Sequence, residues 1–120
     1  MIILKCFIIL FSYLHINFAY ANEIKIQERI KNFKSSKEAM KKINESIRKK
    51  NYSSLNDQIL FLYNWFIILP SYFPEGTESS IKNNSDASAN IWENFTMFQN
   101  YSNNSKNISL KILNSINKNY

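Results

Sequence analysis

Ile26, Ile30, Phe33, Met40, Ile43 and Ile47 recur at steps of four, three, seven, three and four. That spacing gathers them on one stripe and predicts a first helix from about Glu23 to Lys50. Lys and Glu fill the opposite face, and Asn51 is the expected stop. A second helix is predicted from about Ser54 to Leu69. Ser53 or Ser54 is its cap, and Asp57 lies in the first turn, where the helix dipole favours negative charge. Ile59, Leu60, Tyr63, Phe66 and Ile67 give it a broad apolar face. Pro70 ends it, because proline lacks an N–H and restricts the residue before it. The loop that follows, to Ser88, holds Pro74 and the only glycine, Gly76. A third helix starts near Ser88 with Ile91, Phe95 and Phe98, and resumes with Ile108, Ile112 and Ile116 at spacing four. The polar run Asn100 to Asn107 between them is a weak helix former, so a bend or fraying is expected there. No strand alternation, internal repeat or glycine-rich phosphate loop is present. The fold class read from this pattern is all-α, an antiparallel up-down helical bundle.

The first residues change the picture of the mature chain. Lys5 precedes an apolar run from Cys6 to Leu14, and Ala19-Tyr20-Ala21 is a small-x-small cleavage site. Residues 1–21 therefore read as a signal peptide and 22–120 as the domain, which places the protein in the periplasm. An uncleaved anchor is the alternative. Ser12, His15 and Asn17 interrupt the run, which is short for the roughly 20 residues of a span. No stable membrane span is expected after cleavage.

Cleavage removes Cys6 and His15, the only cysteine and the only histidine. The remaining domain has no thiolate or imidazole for a disulfide, Cys-His catalysis or a conventional zinc site. The net charge of +6 comes mainly from basic residues between Lys25 and Lys50, interleaved with Glu28, Glu38 and Glu45. That is the pattern of a solvated helix face. No nucleic-acid motif accompanies it, so no nucleic-acid partner is expected. An acidic protein or an anionic membrane surface suits such a face better. Glu75, Glu78 and Glu93 are the clustered carboxylates that acid-base chemistry would need. No pocket-forming motif surrounds them, and the expectation is that the chain is not an enzyme.

Arg29, Ile30, Phe33, Met40 and Ile43 in the first helix, Leu69-Pro70, Phe73-Pro74-Glu75-Gly76-Thr77, and Ser85 through Ile91-Trp92 form a set. Together these residues resemble the class II c-type cytochromes, the cytochrome c′ family, over most of the domain. The phenylalanine-proline-glutamate-glycine loop at this distance from isoleucine-tryptophan is the more specific part. The resemblance implies a four-helix bundle with haem c as cofactor, for electron transfer or small-gas binding. It also implies a redox protein partner, while a homodimer is an expectation of the haem-free alternative given below. Five residues are haem-pocket positions by resemblance. Phe33 would shield the iron, Arg29 would approach a propionate, Ile30 replaces the family's usual glutamine, and Thr77 and Trp92 would lie near the haem edge or the adjoining core.

In that family two cysteines and a histidine on a final helix attach the haem and bind its iron. The chain ends about where the third helix of the family ends. The expectation is three helices of an ancestral four, truncated before the haem-binding helix, with no catalytic or metal-binding residues and no covalent haem. Apolar surface at Phe33, Tyr63, Phe66 and Ile112 would then face water. The competing expectation is a haem-free exported binding or dimerisation module, in which Met40 and Met97 would be the soft ligands for any non-covalent haem.

Overall fold

The computed structural model describes residues 2–118, with side chains described for Tyr20 and residues 22–116. The order is α1 (Ile2–Lys49), α2 (Leu55–Ile68), a 3-10 turn (Leu69–Tyr72), the single-turn α3 (Asn90–Glu93) and α4 (Phe95–Lys118). No strand occurs among the described residues. The side chains of Cys6 and His15 lie outside the described residues, as does most of the expected cleavage segment. Among the described residues, no helix is long and apolar enough to cross a membrane.

Several boundaries differ from expectation. The first helix does not begin at Glu23; the backbone is helical from Ile2, since no proline or glycine intervenes. Its end falls where expected. Lys50 takes a left-handed φ of 51°, and two bonds close the last turn, Asn51 N–H to Ser46 O at 3.0 Å and Lys50 N–H to Ile47 O at 3.2 Å. That is the six-to-one and five-to-two pair of a Schellman ending, with lysine where glycine is usual. Ser54 is the N-cap of α2, but its side chain makes no capping bond. Pro70 does not stop the chain abruptly, because it sits in the first turn of the 3-10 segment, where its missing N–H has no partner to lose. The expected bend at Asn100 to Asn107 is absent, and the break falls earlier, at Asn94 between α3 and α4. Packing overrides propensity there: Ser102 donates to Phe66 O at 2.6 Å and fixes the polar stretch against α2.

The helices run antiparallel. Phe33 meets Trp65 at one end, and Ile43 packs on Leu55 and Ile59 at the other. α2 packs against both α1 and α4, whereas no Cα of α1 comes within 8 Å of one in α4. Leu55, Ile59, Leu62 and Trp65, at steps of four, three and three, form the buried face of α2, which Leu69 of the 3-10 turn continues. The expected face was set differently: Leu60 and Ile67 are exposed, because a helix apolar nearly all round gives no phase to read.

A similar shift affects the outer helices. Beside Ile26 and Arg29, the small residues Ala39 and Ser46 are buried on α1, and beside Leu113, Ser102 and Ser109 are buried on α4. Small side chains let the helix axes approach. The larger residues of the predicted stripes, Phe33, Met40 and Ile47 on α1 and Ile108 and Ile112 on α4, stand exposed along the edges. Tyr63 and Phe66 are half-buried. Of the four residues expected to face water, Phe33 and Ile112 are thus exposed and Tyr63 and Phe66 are partly covered.

The core has two parts. An aliphatic part joins Leu55, Ile59 and Leu113 with Ile43, Tyr63 and Ile116. An aromatic part joins Trp65, Leu69 and Phe73 with Phe66, Tyr72, Trp92, Phe95 and Phe98, beside the long loop.

Candidate functional site

Arg29 lies three residues after Ile26 and four before Phe33, so α1 carries a cation into its apolar stripe. It is only 3% exposed. Nη1 donates to Tyr72 O at 3.3 Å and to Thr77 Oγ1 at 3.0 Å. Nη2 donates to Thr77 O at 2.6 Å and to Ser85 Oγ. Its guanidinium carbon lies 4.5 Å from the centre of the Phe73 ring, a favourable place for a cation. All these acceptors are neutral. Burial pushes the guanidinium below its ordinary pKa, yet arginine keeps its charge throughout the working range.

The loop is folded around this group. Gly76 supplies a φ of 79°, which a side-chain-bearing residue adopts at a cost. That turn brings Thr77 inside, where it is fully buried and donates from Oγ1 to Pro74 O at 2.8 Å. Ser85 Oγ donates to Thr77 O at 2.7 Å and accepts from Ala87 N–H at 3.2 Å. Ser79 N–H to Ala87 O, at 2.8 Å, closes the base of the loop. Trp92 is half-buried and donates its indole N–H to Phe73 O at 3.1 Å and Pro74 O at 3.2 Å. Lys25 Nζ stands 4.2 Å from the centre of the Tyr72 ring on the rim.

The structure thus brings Arg29, Thr77 and Trp92 together on one loop. Phe33 joins them through ring contacts, with centroids 5.6 Å from Trp65 and 6.4 Å from Phe73, while remaining 46% exposed. Ile30 is half-buried on the flank. Sequence reading did not assign roles to Ser85 or Phe73, or to the carbonyl of Tyr72. The available signal was an arginine in phase with the apolar stripe, which must find oxygen acceptors once buried. Glu75 and Glu93 are exposed, and the described residues contain no cluster of three side chains able to hold a metal ion.

The Thr77→Val variant tests how much the hydroxyl network matters. Valine keeps the shape but removes a donor to Pro74 O and an acceptor for Arg29 Nη1. The loss should be about 1–3 kcal/mol, seen as a lower urea midpoint with an unchanged slope. An unchanged midpoint would show that the network contributes little.

The residues present fit one face of a haem and not its attachment. Phe33 is the exposed ring of this aromatic set, with Phe73 and Trp65 buried behind it, so Phe33 is the one surface here that could meet a flat macrocycle. A buried cation without a carboxylate partner suits a propionate, although both hydrogens of each Nη already have acceptors, leaving Nε–H as the fifth donor. The described side chains include no histidine or cysteine. Met40 lines a groove between helices, and Met97 lies in a separate hollow with Asn90 and Tyr101.

No curated protein and no solved structure matches the chain. The family profile described as cytochrome c′ matches residues 25–118. That span holds the domain's part of α1, the whole of α2, the clamped loop and α4, so the chain belongs to the cytochrome c′ family.

Proposed function

We propose that this protein is an exported, periplasmic relative of the haem-binding class II cytochromes whose 120 residues supply the cover side of a haem pocket and no covalent attachment for it. The observation that carries this reading is the Arg29 clamp, which fixes the loop beside the exposed Phe33 ring within the family-matched span. When bound, haem iron would supply electron transfer or small-gas binding. Phe33 would cover the macrocycle, and Arg29, through Nε–H or by giving up a loop oxygen, would meet a propionate. Thr77, Ile30 and Trp92 act by holding these two in position. The chain itself performs no catalysis, and a redox protein is its partner class.

The test is production of the full chain in a bacterial periplasm together with the machinery that attaches haem c. After denaturing electrophoresis, no haem-dependent peroxidase stain should travel with the polypeptide. A stained band at its mass would overturn the proposal. Sequencing the gene beyond the Tyr120 codon completes the test. A Cys-x-x-Cys-His within about one further helix length would assign the haem functions to a longer product. The second reading, a haem-free binding or dimerisation module, is favoured by the apolar edges at Met40, Ile47, Ile108 and Ile112.

A further inference from the structure

Ser46 is 9% exposed, and its hydroxyl has no hydrogen-bond partner among the described residues. Ser36 of α1 and Ser109 of α4 instead donate to the carbonyl four residues back, an ordinary place for a helical serine hydroxyl. A buried hydroxyl left without a partner needs an explanation. Ser46 faces a recess of about 160 Å³ at the corner where α1 ends and α2 begins. That is room for about five waters at their liquid volume. The recess shares no lining residue with the apolar groove that Met40 lines.

Donors and cations surround that hydroxyl. Lys42 lies four residues before Ser46 and Lys49 three after, so both share its face of α1 and line the recess. Ser54, the N-cap of α2, also lines it and makes no side-chain capping bond. In the first turn of α2, Leu55 N–H is bonded to Tyr52 O at 3.1 Å and Gln58 N–H to Ser54 O at 3.3 Å. The N–H groups of Asn56 and Asp57 are left for an outside acceptor, at the positive end of the helix dipole. The Ser53 hydroxyl is already committed to Asn51 Oδ1 at 2.9 Å. Glu45 is the one carboxylate in the lining. A metal cation would therefore meet two ammonium groups. A carboxylate has about four lone-pair sites, fewer than the two hydroxyls, two amides and two ammonium groups present; a phosphate has enough. We infer that this corner binds a phosphate group, free or on a lipid headgroup, through Ser46, Ser54, the Asn56 and Asp57 amides, Lys42 and Lys49. This goes beyond the haem reading and needs no haem for its test.

The probe is inorganic phosphate, titrated into the full chain to about 50 mM with chloride holding the ionic strength constant. Backbone amides are followed by nuclear magnetic resonance. Those of Asn56 and Asp57 should shift along a saturable curve that chloride alone does not produce. Ser46→Ala removes no existing hydrogen bond, so its urea midpoint should stay that of the parent while phosphate affinity falls about threefold or more. Lys49→Ala should weaken binding to a similar degree. Glu45→Gln removes the opposing charge and should tighten it about threefold. Amides that never saturate would overturn the inference, as would a Ser46→Ala variant that binds like the parent or a Glu45→Gln variant that binds more weakly. Vesicles of phosphatidic acid in phosphatidylcholine then identify the source. Co-sedimentation that free phosphate abolishes at constant ionic strength assigns a lipid headgroup, and saturable phosphate binding without co-sedimentation assigns a soluble phosphate.

Discussion

Trp65→Ala should bring the domain close to unfolding, with a loss of about 3–5 kcal/mol in stability. A domain of this size has roughly 5–15 kcal/mol in total. Trp65 is 2% exposed and holds three elements at once. Its ring meets Phe33 of α1 edge-on at 5.6 Å and Tyr72 of the 3-10 turn at 5.4 Å, and it shares a cluster with Leu69 and Phe73. Alanine leaves a void bordered by an already exposed edge, so water can enter where collapse fails. The indole N–H has no partner among the described residues, and its loss removes no hydrogen bond, which limits the effect to packing. Trp65→Phe should therefore recover much of the stability. Equilibrium urea unfolding followed by circular dichroism measures all three proteins. A loss below about 1 kcal/mol in the alanine variant would show that the aromatic part of the core is not the main stabilising unit.

Arg29→Met should cost about 2–4 kcal/mol and free the loop before it unfolds the helices. Hydrogen bonds from a charged donor are worth roughly 1.5–3 kcal/mol each. Against that stands the relief of removing a buried cation that has no ionic partner, which keeps the net below the sum. Methionine preserves helix propensity and much of the bulk, so the change isolates the fork. Arg29→Lys is the informative companion. It keeps the charge, but a single ammonium cannot span Tyr72 O, Thr77 and Ser85 together. It should lose most of what methionine loses. Amide exchange reports the order of events, with Ser79 N–H, bonded to Ala87 O, losing protection ahead of the α2 amides. If Arg29→Lys matches the parent protein, the charge alone matters and the fork does not.

Much of the fold was legible because it rests on local rules. The steps of the apolar residues predicted three helices, and the expected end of the first at Lys50 falls one residue past the observed ending. What the periodicity missed was which side of each stripe faces a neighbour. Ala39, Ser46, Ser102 and Ser109 are buried between the helices, and small or hydroxylated residues carry no weight in a hydrophobic pattern. Arg29, Thr77 and Trp92 were identified through resemblance, and all three converge on one loop. The bonds that join them run over 43 to 56 residues of sequence for Arg29 and 18 or 19 for Trp92. Such pairings depend on how the chain returns after Pro74 and Gly76, which no local rule specifies.

The position of α2 between two helices whose backbones stay more than 8 Å apart gives the molecule the mechanics of two leaves on one spine. In a closed ring of helices, opening one seam leaves every helix still held by its other neighbour. Here α1 and α4 each have one long seam, so either leaf can lift while the other stays shut. α2 loses its cover only when both are gone. Slow exchange should concentrate in α2, a protease should reach an outer leaf first, and a helix laid across the gap would turn two independent leaves into a single cooperative unit.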